Sequence, residues 1–164
     1  KPLLCSQRHA DVPLHFNFTH SRDLALLAIT CHCEIGVDVE AVDTQRSIHG
    51  IGQRYFHPQE WQSIAALPED QQPRAFFDNW ACKEAIVKAH GGGIMSGLNT
   101  FVIQGINAAP GPRQVFDTQG QPLPWTLQTL EIHDKTSHPF IAAIAMQNRA
   151  SRCSIEMTDA AALL

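Results

Sequence analysis

Asp38 and Glu40 stand two positions apart in the run Glu34–Ile35–Gly36–Val37–Asp38–Val39–Glu40. Ile35, Val37 and Val39 alternate with Gly36, Asp38 and Glu40, so the run reads as a strand with one apolar face. Both carboxylates then share the other face, roughly 6.6 Å apart. Like charges held that close in a half-buried sheet repel unless something cationic neutralises them. Mg2+ is the economical cation, because it takes carboxylate oxygens together with substrate phosphates. On pattern alone the commoner alternative is the solvated face of an edge strand.

A third carboxylate comes from a helix expected over about 74–90. Projected at about 100° per residue, Phe77, Trp80, Ala81, Glu84 and Lys88 fall on one stripe. An apolar stripe that should face the core therefore turns into a Glu–Lys pair over its last two turns. The alternative is an ordinary (i, i+4) surface pair, which contributes only ~0.3–0.5 kcal/mol. If this helix packs across the strand, Glu84 and Lys88 meet Asp38 and Glu40. Three carboxylates around one Mg2+, with a lysine alongside, suit phosphoryl transfer, since metal and lysine both neutralise phosphate charge. No Ser or Cys nearby supplies a nucleophile, so an external one is expected.

The elements that must position these groups are legible in outline. Leu24–Thr30 is a short apolar run and reads as a strand. Cys31–His32–Cys33 lies between it and the acidic strand, in an expected tight hairpin. Pro58 opens a helix through Leu67, and the stretch from Pro68 to Pro73 breaks it. Gly91–Gly92–Gly93 ends the long helix as a left-handed C-cap, and it follows a helix rather than opening one, which disfavours a phosphate loop. Strands are expected at 100–104, 126–132 and 140–146, separated by a Pro/Gly-rich loop at 109–113 and a turn at 120–122. Strands, then helices, then strands predict an α+β fold with an antiparallel sheet packed by helices.

Composition sets the bounds. A chain of 164 residues forms one domain or two very small ones. With 44% apolar and 17% charged residues it is not a solvated disordered chain. Its net charge of −4 removes the simplest argument for nucleic-acid binding. No run nears the ~18 apolar residues of a membrane span. Five cysteines without framework spacing point to free thiols and a cytoplasmic location. Cys31 and Cys33 lack the second pair that a zinc site needs. Phe16–Asn17–Phe18–Thr19–His20–Ser21 gathers small polar donors and an imidazole into what reads as a turn able to hold an anion, or else a strand entry with a hydrogen-bonded histidine.

Together, Gly36-Val37-Asp38-Val39-Glu40 and Trp80-Ala81-Cys82-Lys83-Glu84-Ala85-Ile86-Val87-Lys88 resemble the paired motifs of 4′-phosphopantetheinyl transferases, a G-[IV]-D-x-E strand and a W-[SAT]-x-K-E-[AS]-x-x-K helix. Phe16-Asn17-Phe18-Thr19-His20-Ser21 is similar to the F-N-[ILV]-S-H-S segment of the Sfp-type branch, with Thr19 for Ser, and Lys1-Pro2 resembles the end of its G-K-P motif. The resemblance implies an enzyme that moves the phosphopantetheine arm of coenzyme A to a serine of an apo acyl or peptidyl carrier protein. Adenosine 3′,5′-bisphosphate leaves. It further implies that Asp38, Glu40 and Glu84 hold Mg2+. Glu84 takes the serine proton directly or through a metal-bound water. Lys88, assisted by Lys83, faces the bridging phosphates, and Lys1, Pro2, Thr19 and His20 lie at the 3′-phosphate of coenzyme A.

Sfp-type enzymes are pseudo-dimers of two similar halves. On that pattern residues 1–36 are the remainder of a first half and residues 37–164 a second half. Because the chain begins inside the G-K-P motif, it is expected to be incomplete and to bind coenzyme A weakly or not at all. Carrier proteins are usually acidic, and Arg46, Ile48, Ile51 and Arg54 are the expected docking surface, unless they simply form an amphipathic helix. Two other activities compete: a non-catalytic domain that binds carrier protein or nucleotide, and a Mg2+-dependent phosphohydrolase that uses water.

Overall fold

The alternating segments fold into two antiparallel sheets. The computed structural model describes residues 14–92, 97–106, 109–133, 139–147 and 155–159. Strands β1 (His15–Ser21) and β2 (Leu24–Thr30) form a hairpin in which Phe18 lies opposite Leu27. Arg22 takes a left-handed conformation in its turn, with φ of 51°. Strands β3 (Ile35–Ala41), β4 (Phe101–Gln104), β5 (Pro112–Asp117), β6 (Trp125–His133) and β7 (Pro139–Gln147) form a five-stranded sheet in the order β3-β7-β6-β5-β4. Helices α1 (His49–Tyr55), α2 (Pro58–Ala65) and α3 (Gln72–His90) come between β3 and β4. This is the expected α+β class with antiparallel sheets. Among the described residues no helix is long and apolar enough to cross a membrane.

Three local expectations need correction. Cys31–Cys33 does not close a hairpin between β2 and β3. It links two sheets, because β2 pairs with β1 and β3 pairs with β7. The segment from Phe16 to Ser21 is not a turn but most of β1. The loop expected at 109–113 gives way at Pro112 to β5, whose Arg113 and Val115 point inward.

The helices obey local chemistry. Pro58 occupies the first turn of α2, where its missing N–H leaves nothing unsatisfied. His57 Nδ1 accepts from the Gln59 N–H, and Glu60 Oε2 accepts from the His57 N–H at 2.9 Å, which closes a capping box. Helix α3 ends at Gly91, left-handed with φ of 79°, as the glycine run implies.

Helix α3 is buried on most of its circumference rather than along one stripe. Its Phe76 and Phe77 share one buried apolar cluster with Phe56, Ile64 and Trp61 and with Ile141, Ala143 and Ala145 of β7. A second apolar cluster forms on the far face of β3 and β7. There Val39, Ala41, Phe140 and Ala142 meet Leu24 and Leu26 of the hairpin. Strand β3 is therefore covered on both faces, by α3 and by the hairpin.

Candidate active site

Gly36 explains why the acidic strand and the long helix meet. A Cβ at this position would run into the backbone carbonyl of Ala85 and the backbone nitrogen of Ala89. Only a bare Cα lets the α3 backbone come so close. Opposite Gly36 and Asp38 on β7 stand Ala145 and Ala143, small residues that keep the same face low. The face that carries Gly36 also carries Asp38 and Glu40. Glu84 and Lys88, each one residue before an alanine that Gly36 admits, are thereby laid over it.

The result is a buried acidic cluster with one cation. Asp38 is only 4% exposed, which removes the solvated-edge alternative. Lys88 Nζ lies 2.5 Å from Asp38 Oδ1 and also donates to Thr19 Oγ1 at 3.2 Å and to the Val37 carbonyl at 3.4 Å. Thr19 Oγ1 donates to the same Asp38 oxygen at 3.1 Å. The Lys88 side chain keeps 29% of its surface exposed, so its charge reaches the mouth of the site.

All three carboxyls are pushed above their ordinary range. For Asp38, burial is the largest cause and outweighs the lowering by Lys88. For Glu84, burial comes first and the Asp38 charge adds to it. Glu40 is raised to about 7 by burial and then by Asp38, with Arg46 and Lys88 opposing. Three acids that resist ionisation in one place form an environment short of positive charge.

Two carboxylate oxygens, Asp38 Oδ2 and Glu84 Oε1, are buried with no hydrogen-bond partner among the described residues. An unpartnered buried carboxylate oxygen is costly, and a hard divalent cation satisfies two of them at once. The donor set fits such an ion. The side chains do not stand as a finished cage. Among the described residues no group of three or more His, Cys, Asp or Glu is drawn close enough to hold a metal as placed. The charge that Asp38 meets is Lys88.

The family model for the 4′-phosphopantetheinyl transferase superfamily matches residues 34–145, which run from the entry of β3 into β7. The chain belongs to this superfamily. The 4′-phosphopantetheinyl transferase HetI of Nostoc sp. is 34% identical over 146 residues, covering 89% of this chain and 56% of the relative. The 4′-phosphopantetheinyl transferase psf-1 of Bacillus pumilus is 34% identical over 87 residues, covering 53% of this chain and 36% of the relative. The chain thus spans about half the length of HetI and about a third of psf-1. A crystal structure of Thermotoga maritima holo-[acyl-carrier-protein] synthase overlaps with a TM-score of 0.44 at 15% identity, over 71% of this chain and 64% of that one, too loosely to carry an argument.

Within this superfamily member, the residues expected at the site divide into those brought together and those kept apart. Asp38, Glu84 and Lys88 converge, and Glu40 stands at their margin. Thr19 joins them through Asp38 and Lys88 rather than through an anion. His20 does not accompany it, because neighbours along a strand face opposite ways. It is exposed on the outer face of β1, with its ring 6.2 Å from that of Phe18. Lys1 and Pro2 lie outside the described residues.

Lys83 is the clearest departure. It is fully buried, and its Nζ donates to the carbonyls of Leu98 at 2.6 Å and Phe101 at 2.8 Å. It also lies 2.9 Å from Glu60 Oε2 and 4.2 Å from the centre of the Phe101 ring. Burial pulls its pKa down and Glu60 opposes that shift. With its donors spent inside the core, Lys83 does not face a phosphate. Its work is to tie α3 to the start of α2 and to β4, which fixes the rotation of the helix that presents Glu84. Glu60, which completes that tie, was not singled out in the sequence. Its position three residues after His57, in a capping pattern, was the available signal.

The expected docking surface also changes. Arg46 and Arg54 are exposed, but Ile48 is buried and Ile51 packs against the core. The apolar half of that surface is thus spent on the fold. Among the described residues Cys31, Cys33 and Cys82 form no disulfide.

Proposed function

We propose that the chain carries the catalytic site of a Mg2+-dependent 4′-phosphopantetheinyl transferase. It acts on coenzyme A and on a serine of an apo acyl or peptidyl carrier protein, in the cytoplasm. The observation that carries this reading is the buried convergence of Asp38, Glu84 and Lys88, with one oxygen of each carboxylate unpartnered. Superfamily membership supplies the reaction class.

In this reading Asp38 and Glu84, with Glu40 beside them, would hold Mg2+, which would supply positive charge to the pyrophosphate of coenzyme A. Lys88 presents its ammonium group at the mouth of the site and draws the negative charge that grows on the leaving phosphate oxygen. Glu84 is the carboxylate that would take the proton from the serine hydroxyl. The serine oxygen bonds to the phosphorus of the phosphopantetheine arm. The pyrophosphate bond breaks, and adenosine 3′,5′-bisphosphate departs. Residues 37–164 carry the acidic strand and the helix, and the hairpin before them belongs with the first half of the two-half plan.

The test is incubation of the full-length form with apo carrier protein, coenzyme A and Mg2+, read by intact mass. A carrier protein heavier by one phosphopantetheine arm, and unchanged with Glu84→Gln, is the expected result. Hydrolysis of coenzyme A with no gain in carrier mass would favour the phosphohydrolase reading instead. No reaction from a chain that binds coenzyme A and carrier protein would favour the binding domain.

A further inference from the structure

β3 is an edge strand of its sheet, and the N–H groups on its free edge need partners. Among the described residues no backbone ladder supplies them. Side chains of β1 do. Asn17 Oδ1 accepts the Val37 N–H at 3.0 Å, and Ser21 Oγ accepts the Ala41 N–H at 3.0 Å. Asn17, Thr19 and Ser21 are alternate residues on the inward face of β1, so three short polar side chains clasp the acidic strand in register.

The middle member of the clasp does something different. Thr19 binds no backbone group of β3. Its hydroxyl donates a hydrogen bond to Asp38 Oδ1 and accepts one from Lys88 Nζ. It is 6% exposed and so works out of competition with water. Lys88 and Thr19 both engage Oδ1 of Asp38, while Oδ2 is left unpartnered, as is Glu84 Oε1.

We propose that Thr19 is a positioning residue for the divalent-cation site. Its hydroxyl holds Lys88 on Asp38 Oδ1, so that the lysine does not compete with the cation for Oδ2 and Glu84. This inference rests on the reading of the site as a cation centre. A methyl group in place of the hydroxyl frees both partners. The ammonium group, on its flexible stem, then swings to the unpartnered oxygens, and cation affinity falls.

Mn2+ titration of the chain, read by electron paramagnetic resonance, tests the proposal without any turnover. Thr19→Val, close in shape, should weaken Mn2+ binding by about tenfold. Thr19→Ser, which keeps the hydroxyl, should stay within about twofold of the parent. Asn17→Ala removes a clasp bond of the same strand without touching Asp38 or Lys88. It should lower the melting temperature and leave Mn2+ affinity within about twofold. If Thr19→Val binds Mn2+ as the parent does, or Asn17→Ala weakens it equally, the positioning role is overturned while the cation centre stands. A parent chain that takes up no Mn2+ would overturn both. Circular dichroism of each variant separates loss of affinity from loss of fold. Should Thr19→Val not fold, Thr19→Ala takes its place under the same expectation, and a Thr19→Ser variant weakened about tenfold overturns the proposal by itself.

Discussion

Lys83→Met separates a structural lysine from a phosphate-binding one. Methionine follows the same path through the core but carries no charge and no donor. The substitution strips the Glu60 carboxylate of the ammonium 2.9 Å away and leaves the carbonyls of Leu98 and Phe101 without the donor they now share. Removing one partner of a buried ion pair costs about 3–5 kcal/mol, because the other charge stays buried. Glu60 keeps the N–H groups of His57 and Ile103, so the lower half of that range applies, about 3–4 kcal/mol. At about 2–4 °C per kcal/mol for a chain of this size, the melting temperature should fall by roughly 6–16 °C. Differential scanning calorimetry reads this directly. Adding Glu60→Gln should restore part of the loss, since the amide oxygen still accepts from Ile103 but no charge is left buried. A Lys83→Met variant that melts with the parent yet transfers poorly would refute the argument and return Lys83 to the phosphates.

The remaining predictions concern the acidic face. Gly36→Ala must push α3 off β3, because its methyl group meets backbone atoms that have nowhere to go. It should cost toward the upper end of the ~1–3 kcal/mol typical of overpacking and also end transfer, and a variant with parental melting and rate would contradict this. Glu84→Gln should abolish transfer and, without divalent cation, melt slightly above the parent, since it removes a buried charge beside Asp38. Parental transfer by this variant would dismiss Glu84 as base and ligand.

Stability should also depend on pH in a stated direction. Glu40 titrates at about 7 in the folded chain against 4.5 in the unfolded one, and Asp38 and Glu84 shift the same way. Raised carboxyls bind their protons more tightly when folded. Their contribution is therefore complete below about pH 4.5 and is lost as pH rises through about 7. Glu40 alone accounts for about 1–2 kcal/mol once solvent screening is allowed for. Urea unfolding at pH 5 and pH 8 should show that loss without Mg2+ and a smaller one with it, and the opposite slope would contradict the assignment.

The acidic strand and the long helix were readable because their patterns are local. Alternation in Ile35–Glu40 gives one face, and 100° spacing places Glu84 over Lys88. Gly36 and the glycine C-cap carry direct conformational meaning. Pairing was less readable. β2 and β3 are neighbours in sequence with a short link, yet the chain closes β3 against β7, more than a hundred residues later, and such partners leave no local trace. β5 was hidden because its inward positions are Arg113 and Val115, and a buried arginine breaks the apolar alternation that announces a strand.

Site roles divided along the same line. The family motif places Lys83 beside Glu84, but consecutive helical residues point about 100° apart, so one faces the core and the other faces β3. Likewise Thr19 and His20 are adjacent in the motif and opposite on the strand. A motif states which residues recur together. The geometry of the element decides which of them can touch the same ligand.

In the proposed site Asp38 and Glu84, from a strand and a distant helix, share one divalent cation. Crystals grown with Mn2+ and measured at its absorption edge test it most directly. An anomalous peak bridging Asp38 Oδ2 and Glu84 Oε1, with Lys88 still on Oδ1, is the expected result. A peak elsewhere, or none while Lys88 alone neutralises Asp38, would contradict it.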